Sequence, residues 1–241
     1  MESGLKLEEV DRDGAIRETA EEAYATLAEE GDTRLDFFKK AGATGGAVLG
    51  GGALLGALVP GTAMAAGGGR PPRSFGRGDV GILNFALTLE YLEAAFYTEA
   101  KRHDRKKSFV KGDEQVFLNV TFRDERAHVK YLKDALGSKA VKSPKFDFRD
   151  TTRDRKKFLK TSYSLENTGV HAYLGQVANI KDPGTLTAAS TIATIEARHA
   201  SVIGLLLKGD KDGIAPAGPF DVPLRAREIL KRVKATGFIV G

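Results

Sequence analysis

Two stretches of the sequence, Asp124-Glu125-Arg126-Ala127-His128 and Glu196-Ala197-Arg198-His199, decide the fold. In each stretch a glutamate precedes a histidine by three residues. On an α-helix this spacing places the two side chains about 60° apart around the axis and about 4.5 Å apart along it. The glutamate and the histidine of each stretch can therefore converge on one common position.

Two further stretches match each other in the same way. Leu89-Glu90 is followed by Tyr97, seven residues after the glutamate, and Leu165-Glu166 is followed by Tyr173 at the same spacing. Seven residues are nearly two turns, so each tyrosine lies on the face of its glutamate, about 10 Å further along the axis. The chain is therefore interpreted as a duplicated helix pair, with Glu and Tyr on one helix and Glu-x-x-His on the next.

Helical periodicity governs the chain from residue 79 onward, and no stretch shows convincing alternation with a period of two. Asp79 and Asp113 are the predicted N-caps of the first two helices. Capping residues and glycine or proline stops predict four long helices and a short fifth one, at 79–103, 113–136, 152–179, 185–208 and 224–236. The expected buried stripes are Ile82, Phe85, Leu89, Leu92 and Phe96 on the first helix and Val116, Val120, Ala127 and Tyr131 on the second.

The lengths of the connections constrain the topology. The first and third links are short, so each helix pair should be antiparallel. The second link, residues 138–151, can reach about 43 Å when extended, whereas a helix of 20 residues is about 30 Å long. The sequence therefore predicts an all-α protein, a four-helix bundle with one long crossover and a short C-terminal helix.

One glutamate from each of two helices, plus Glu-x-x-His from each of the other two, is the ligand set of di-iron and di-manganese bundles. On these residues, 80–208 resembles a ferritin-like domain, and 84–97 and 170–175 particularly resemble the branch that includes desiccation-related proteins of plants and bacteria. The resemblance implies two iron or manganese ions, bound by Glu90, Glu125, His128, Glu166, Glu196 and His199.

The resemblance also implies roles for further residues. Glu93 lies one turn after Glu90 and is a candidate seventh ligand, since rubrerythrin-like proteins have an extra glutamate. Tyr97 and Tyr173 would donate hydrogen bonds to carboxylates of neighbouring helices. The remaining two histidines, His103 in a basic run and His171 on another face from Glu166, are predicted not to be ligands.

We expect Glu125 and Glu196 to bridge the two ions, with His128 and His199 each holding one of them. Apolar residues flank the glutamates, and several ionised carboxylates in a bundle interior are very unfavourable unless cations compensate their charge. Two divalent ions would supply that charge. A metal-free bundle would instead need protonated glutamates, or Arg126 and Arg198 turned inward as counter-ions.

Two functions follow from these alternatives. The first is a di-metal protein that oxidises metal or reduces oxygen or peroxide in stress protection, in the manner of a ferroxidase or a peroxidase. The second is a metal-free desiccation or stress protein that acts as a structural or binding protein. Nothing in the sequence distinguishes oxidase, peroxidase and catalase reactions, and a homo-oligomer is among the possible assembly states.

The charge of the chain is distributed unevenly. Residues 1–65 hold 6 Lys and Arg against 12 Asp and Glu, whereas residues 66–241 hold 31 against 20. Such a basic surface favours anionic partners, of which envelope polymers fit the second function. Nucleic acid is not an expected partner, because no aromatic residues interleave the basic runs at 101–107 and 149–157. The chain has no cysteine, which excludes disulfides and thiolate metal sites.

The beginning of the sequence has the features of an export signal. An acidic leader is followed by a short cationic patch, an apolar Gly/Ala-rich run at 41–59 and Ala63-Met64-Ala65, a small-x-small cleavage pattern. The run resembles a twin-arginine signal, although Thr33-Arg34 stands where two arginines are expected. Export to the periplasm or cell envelope is therefore predicted, with a membrane anchor through 41–59 or a cytoplasmic arm as alternatives.

The predicted organisation has four parts. The leader and the signal occupy 1–65, a flexible Gly/Pro/Arg linker occupies 66–78, the bundle occupies 79–209, and a tail with a short helix occupies 210–241.

Overall fold

The structure is a computed structural model that describes residues 69–209 and 211–240. The predicted leader and export signal, residues 1–65, lie outside the described residues. Among the described residues, none of the helices combines the length and the apolar character that spanning a bilayer requires.

The described part of the chain is helical. Short 3-10 turns occur at Arg73–Phe75, Gly137–Lys139 and Val177–Asn179. Its α-helices are α1 (Gly78–Lys106), α2 (Asp113–Leu136), α3 (Arg155–Gln176), α4 (Pro183–Lys208), α5 (Lys211–Ile214) and α6 (Ala226–Thr236). These ranges contain no β-strand and one isolated antiparallel bridge, between Phe146 and Ile239. The predicted all-α fold is confirmed.

The four long helices form a bundle. Contacts join α1 to α2 and α3 to α4 along their lengths, and α1 to α3 and α2 to α4 across the bundle. Tyr97 of α1 reaches Glu166 of α3, and Tyr173 of α3 reaches Glu90 of α1. Because each tyrosine follows its own helix's glutamate by seven residues, these reciprocal contacts require α1 and α3 to be antiparallel.

The long link between α2 and α3 runs along α1. Near its beginning, the Asn84 amide donates to the Lys139 carbonyl, 2.9 Å, at the N-terminal end of α1. Near its end, the Thr152 hydroxyl donates to Glu99, 2.7 Å, and lies 3.2 Å from His103 Nδ1, in the last turns of α1. The link therefore crosses the bundle lengthwise, as the length of the segment predicted.

The core at the C-terminal end of α1 is aromatic. Phe96 is fully buried and stacks on Phe158, and it packs edge-on against Tyr97 and Phe148. Phe148 belongs to the crossover, and it contacts Phe238 of the C-terminal tail. The tail is held against the crossover by backbone hydrogen bonds from Asp147 N to the Phe238 carbonyl and from Val240 N to the Lys145 carbonyl.

Three helix starts differ from their predictions. Asp113 does not cap α2, because it is the first residue of that helix and Gly112 occupies the N-cap position. Asp79 does not cap α1, because the helix begins at Gly78 and the carboxylate instead accepts hydrogen bonds from the backbone N–H groups of Lys181 and Asp182. Helix α3 begins at Arg155 rather than at residue 152, because Asp154 accepts from Lys157 N and so takes the N-cap position. Asp79 therefore ties the α3–α4 connection to the start of α1.

The predicted buried stripe of α1 is correct, but that of α2 is wrong. Val116 is 59% exposed and Tyr131 is 49% exposed, and Ala127 is also exposed. The buried face of α2 consists of Glu114, Phe117, Leu118, Thr121, Glu125, His128, Leu132 and Leu136. The prediction failed because it ranked positions by apolar character, whereas polar residues occupy half of the face that points inward.

The segment before α1, which belongs to the predicted linker, makes hydrogen bonds with residues near the ends of α3 and α6. The Gly69 carbonyl accepts hydrogen bonds from Gln176 Nε2, 2.9 Å, and from Ala226 N, 3.0 Å, and Arg70 donates to the Asn179 carbonyl, 2.6 Å. Gly69 and Arg70 are therefore bound to the end of α3, to the turn that follows it and to the start of α6.

Candidate metal centre

Six of the predicted ligands meet in the middle of the bundle. They come from all four long helices, and the four glutamates are fully buried. Their ligand atoms form two groups, each with all of its atoms within 4.8 Å of one another. The groups are Glu90, Glu125, His128 and Glu196, and Glu125, Glu166, Glu196 and His199. Glu125 and Glu196 belong to both groups, which is the arrangement expected of two bridging carboxylates.

His128 directs one ring nitrogen into the first group. Its Nδ1 lies 3.1 Å from Glu196 Oε1 and 3.2 Å from both Glu90 Oε2 and Glu125 Oε2. The Glu125 contact is the i to i+3 approach that the Glu-x-x-His spacing predicts, whereas the other two contacts come from α4 and α1. One imidazole nitrogen therefore faces three carboxylates from three different helices.

His199 directs its Nδ1 into the second group. This atom lies 3.0 Å from Glu125 Oε1 and 3.3 Å from Glu166 Oε2. The other ring nitrogen, Nε2, lies 3.3 Å from Asp124 Oδ2. A carboxylate on the far nitrogen of a histidine fixes the orientation of the ring and leaves the near nitrogen available as a ligand.

The two buried tyrosines hold two of the terminal carboxylates. Tyr173 OH donates to Glu90 Oε1, 2.5 Å, and Tyr97 OH donates to Glu166 Oε1. Each hydrogen bond joins α1 to α3, so each tyrosine contacts a carboxylate of the neighbouring helix. In both glutamates the other oxygen is left facing a histidine.

Glu93 is buried close to the six residues but belongs to neither group. It faces Gly169 of α3, where a Cβ atom would lie 3.5 Å from Glu93 Oε1 and 3.0 Å from Glu196 Oε2. The absence of a side chain at residue 169 thus leaves room for two carboxylates. Its predicted role as a seventh ligand stays a prediction.

A model of the ferritin-like domain family matches residues 78–209, which is more than half of the chain. This chain belongs to the ferritin-like family. A comparison with curated proteins finds no match. The matched segment of this ferritin-like chain spans α1 to α4 and contains all seven predicted ligands and both tyrosines.

Several buried ionisable groups at the centre of the ferritin-like bundle have pKa values above their ordinary ones. Burial raises the pKa of Glu125 to about 7, and burial together with the neighbouring carboxylates raises the pKa of Glu93 and Glu196 well above the usual range. Burial alone would lower the pKa of His199, but the charges of Glu166 and Glu125 outweigh it and raise the pKa to about 11. The pKa of each of these acids and of His199 therefore favours proton retention.

The donor set of the ferritin-like bundle fits metal ions. In the described part of the chain, six buried side-chain polar atoms have no hydrogen-bond partner, and Ser162 Oγ is one of them. The other five are Glu125 Oε1, Glu166 Oε2, both carboxylate oxygens of Glu196 and His199 Nδ1. Leaving a buried acceptor without a partner costs about 1–3 kcal/mol, and a cation between these atoms would satisfy all of them.

The remaining candidates lie away from the centre. His103 contacts Thr152, and His171 accepts from the Arg232 guanidinium at 3.2 Å. Arg126 stacks over the Phe122 ring and is exposed, as is Arg198. Neither arginine is turned inward, so the counter-ions expected for a metal-free bundle are not these two.

Two residues that contact the site, Asp124 and Gly169, were not among the predicted site residues. Asp124 stands in the quoted motif, but its contact with His199 is made across helices and depends on the packing of α2 on α4. Gly169 was missed because the space it leaves is visible only with the carboxylates in place. Its position three residues after Glu166, matching Glu93 after Glu90, was the available signal.

Proposed function

We propose that this protein binds two iron or manganese ions in its bundle and uses them to oxidise metal or to reduce oxygen or peroxide. One observation carries the proposal: ligand atoms of six buried residues form two compact groups that share Glu125 and Glu196. A single ion would leave one group unused, whereas two ions would use every ligand atom. Mixed carboxylate and imidazole ligands suit iron or manganese in this architecture.

The charges support the same proposal. Glu90, Glu125, Glu166 and Glu196 are fully buried, and four ionised carboxylates in this volume would repel one another strongly. Two divalent ions would neutralise them. His128 and His199 would each hold one ion through Nδ1, and Glu125 and Glu196 would lie between the two ions.

The bound ions would supply one-electron chemistry, and the surrounding side chains would control the conditions for it. Tyr97 and Tyr173 hold one oxygen of Glu166 and of Glu90, which leaves the second oxygen of each carboxylate for an ion. The Asp124 carboxylate holds His199 with Nδ1 inward. Glu90, Glu125, Glu166 and Glu196 are fully buried, and this burial would protect reactive products from side reactions with bulk water.

Metal loading tests the proposal directly. We expect purified protein, loaded anaerobically with Fe(II) or Mn(II) and desalted, to retain about two ions per chain by elemental analysis. Glu125→Ala and His199→Ala should each reduce this number, because both remove ligand atoms of the shared centre. Glu99→Ala and His171→Ala are the matched controls, since both residues lie outside the two groups, and they should retain the wild-type number.

The alternative is a metal-free stress or desiccation protein. One observation favours it: the pKa values of both His128 and His199 are raised, because the neighbouring carboxylates outweigh the effect of burial. Two imidazolium charges could then offset the charges of two carboxylates. A protein that retains no metal after loading, with unchanged helicity and stability, would contradict the di-metal proposal. The basic surface could then hold anionic envelope polymers.

Redox function is tested separately. Loaded protein should consume oxygen or hydrogen peroxide in a stopped-flow assay, with Glu125→Ala as the inactive comparison and Glu99→Ala as the active one. Consumption of only one of the two oxidants would separate an oxidase-like from a peroxidase-like protein. If both variants still consume the oxidant, the activity comes from contaminating metal and not from the centre.

The proposed setting is stress protection outside the cytoplasm. The acidic leader, the twin-arginine-like run and the similarity of 84–97 to desiccation-related proteins support it. N-terminal sequencing of protein from a cell-envelope fraction should give a chain beginning near Gly67 or Ala66. Full-length protein in the cytoplasmic fraction would contradict export, and full-length protein in the membrane fraction would favour the anchor through 41–59.

A further inference from the structure

A cavity lies between α1, α2 and the crossover, and we call it the crossover cavity. Its volume is about 520 Å³, and none of the seven predicted metal ligands lines it. Small-molecule sites in proteins have volumes of about 300–1,000 Å³. Helix α1 lines the cavity with the short side chains of Ala94, Ala95 and Thr98. These side chains leave the space between the two helices and the crossover unfilled.

Aromatic rings form part of the lining. Phe146 of the crossover is partly buried and stacks on Phe148, with ring centroids 5.6 Å apart and ring planes 13° apart. Tyr91 of α1 lines the same cavity, and its hydroxyl donates to the Val141 carbonyl of the crossover, 3.2 Å. Aromatic rings bury a large area and pack against other rings in offset or edge-on arrangements. The lining therefore favours a flat, apolar molecule.

Two arginines line the cavity, one from each helix. Arg126 of α2 lies 5.0 Å from the Phe122 ring centroid, and it has no hydrogen bond or ion pair among the described residues. Arg102 of α1 lies 3.8 Å from Glu99 Oε2, which is beyond hydrogen-bond distance. Glu99 also lines the cavity, and its other oxygen accepts from the Thr152 hydroxyl, 2.7 Å. Both guanidinium groups therefore retain N–H donors for an anion.

The rings and the arginines together select one class of ligand. A guanidinium group binds a carboxylate or a sulfonate through two parallel hydrogen bonds, and its flat face packs on aromatic rings. A simple inorganic anion would leave the aromatic lining in water, and a neutral apolar molecule would leave both arginines without an acceptor. An aromatic acid uses both parts of the lining.

We propose that the crossover cavity binds a small aromatic acid. Its ring packs against Phe146, and its acidic group accepts hydrogen bonds from Arg102 and Arg126. The site goes beyond the proposed function and does not rest on it, because its lining contains none of the predicted metal ligands.

Calorimetric titration with anilinonaphthalene sulfonate, an aromatic acid, tests the site. We expect the full-length chain to bind about one molecule of this probe, with the same dissociation constant before and after metal loading. Arg126→Gln should raise the dissociation constant about 10-fold, and Arg102→Gln combined with Arg126→Gln should raise it about 100-fold, because charge-assisted hydrogen bonds are lost. Arg198→Gln is the matched control, since it removes the same charge from a different cavity, between α2 and α4, and should have no effect.

An uncharged analogue, phenylnaphthylamine, separates the two parts of the lining. Its dissociation constant should be unchanged by Arg126→Gln, because the analogue has no acidic group. Thr98→Phe should weaken both probes about 10-fold, because the larger side chain fills the cavity from an exposed position. Thr191→Phe, on an exposed threonine of α4, should weaken neither probe. Circular dichroism establishes that each variant is folded.

Several results would overturn the proposal. They are a wild-type chain that does not bind the sulfonate saturably, equal weakening by Arg126→Gln and Arg198→Gln, and binding of the sulfonate that Thr98→Phe leaves unchanged. An equal effect of Arg126→Gln on both probes would also overturn it, because the arginine would then not recognise the acidic group. Metal retention is a separate measurement, so the failure of this site and the failure of the proposed function are distinguishable.

Discussion

The two helix pairs of the bundle, α1–α2 and α3–α4, supply the same set of candidate ligands but different surroundings. Each pair contributes a glutamate with a tyrosine seven residues later, followed by Glu-x-x-His. The contacts are reciprocal as well. The tyrosine of each pair holds the glutamate of the other, and the histidine of each pair approaches the Glu-x-x-His glutamate of the other.

The pairs differ at two matched positions. Three residues after the first glutamate, α1 has Glu93 and α3 has Gly169. One residue before the second glutamate, α2 has Asp124, which contacts His199, and α4 has Ile195, whose side chain has no atom that accepts a hydrogen bond. The ligands are thus symmetric and their supports are not. Two ions bound here should therefore have different affinities.

The largest predicted effect comes from what the two pairs share, the buried charges. Metal-free protein should lose stability as the pH rises from 6 to 9. The pKa of Glu125 rises from its ordinary 4.5 to about 7, and that of His199 rises from 6.5 to about 11. Both groups retain protons in the folded state that the unfolded state has released, so stability falls as pH rises through these windows. A loss of about 3 kcal/mol would lower the Tm by about 6–12 °C.

Thermal unfolding of chelator-treated protein at a series of pH values measures this effect. His199→Gln should flatten the dependence, whereas His103→Gln, on a histidine outside the centre, should not. The increase in Tm that bound metal causes should grow as the pH rises from 6 to 9, because protons compete with the ions for the ligands at low pH. A Tm of the metal-free protein that is constant between pH 6 and 9 would refute the burial of these charges.

The second effect tests the difference between Glu93 and Gly169. Gly169→Leu should destabilise the folded protein by about 1–3 kcal/mol and weaken metal retention, because the new side chain enters the space of the Glu196 and Glu93 carboxylates. Asn167→Leu is the matched control, since Asn167 lies on the same helix and lines an outer cavity. Chemical denaturation and elemental analysis provide the measurements. Equal behaviour of the two variants would show that the space beside Gly169 is not needed.

The sequence predicted that these glutamates and histidines meet because the geometry that brings them together is local. Glu-x-x-His converges on one point in any α-helix, and the spacing of Glu90 to Tyr97 fixes their common face. The α2 stripe was predicted wrongly because Glu125 and His128 occupy the buried face and displace apolar residues from the pattern. The contact of Asp124 with His199 joins two residues that are 75 positions apart in the chain and depends on the packing of α2 on α4, which no local spacing encodes.

The third prediction uses Asp124 to separate the two ion positions. Asp124→Asn should weaken one ion about 10-fold and leave the other unchanged, because only His199 loses the carboxylate that orients it. Asp134→Asn provides the control, as this aspartate is exposed on the same helix and pairs with Lys130. Competitive titration with a metal-binding dye gives both dissociation constants. If Asp124→Asn raises both dissociation constants equally, the contact of Asp124 with His199 affects both ion positions and does not distinguish them.

The smallest effect is the difference between the two tyrosines. Tyr97→Phe and Tyr173→Phe each remove one O–H donor from a buried carboxylate, and each should lower the stability of the metal-loaded protein by about 1 kcal/mol. Because the two contacts are related by the repeat of the helix pair, the two losses should agree within about 0.5 kcal/mol. Tyr131→Phe, on an exposed tyrosine of α2, should change stability by less than that amount. Unequal losses from Tyr97→Phe and Tyr173→Phe would show that Glu90 and Glu166 are held unequally, as His128 and His199 are. The two helix pairs would then match in the types of their residues but not in the strength of the contacts that hold them.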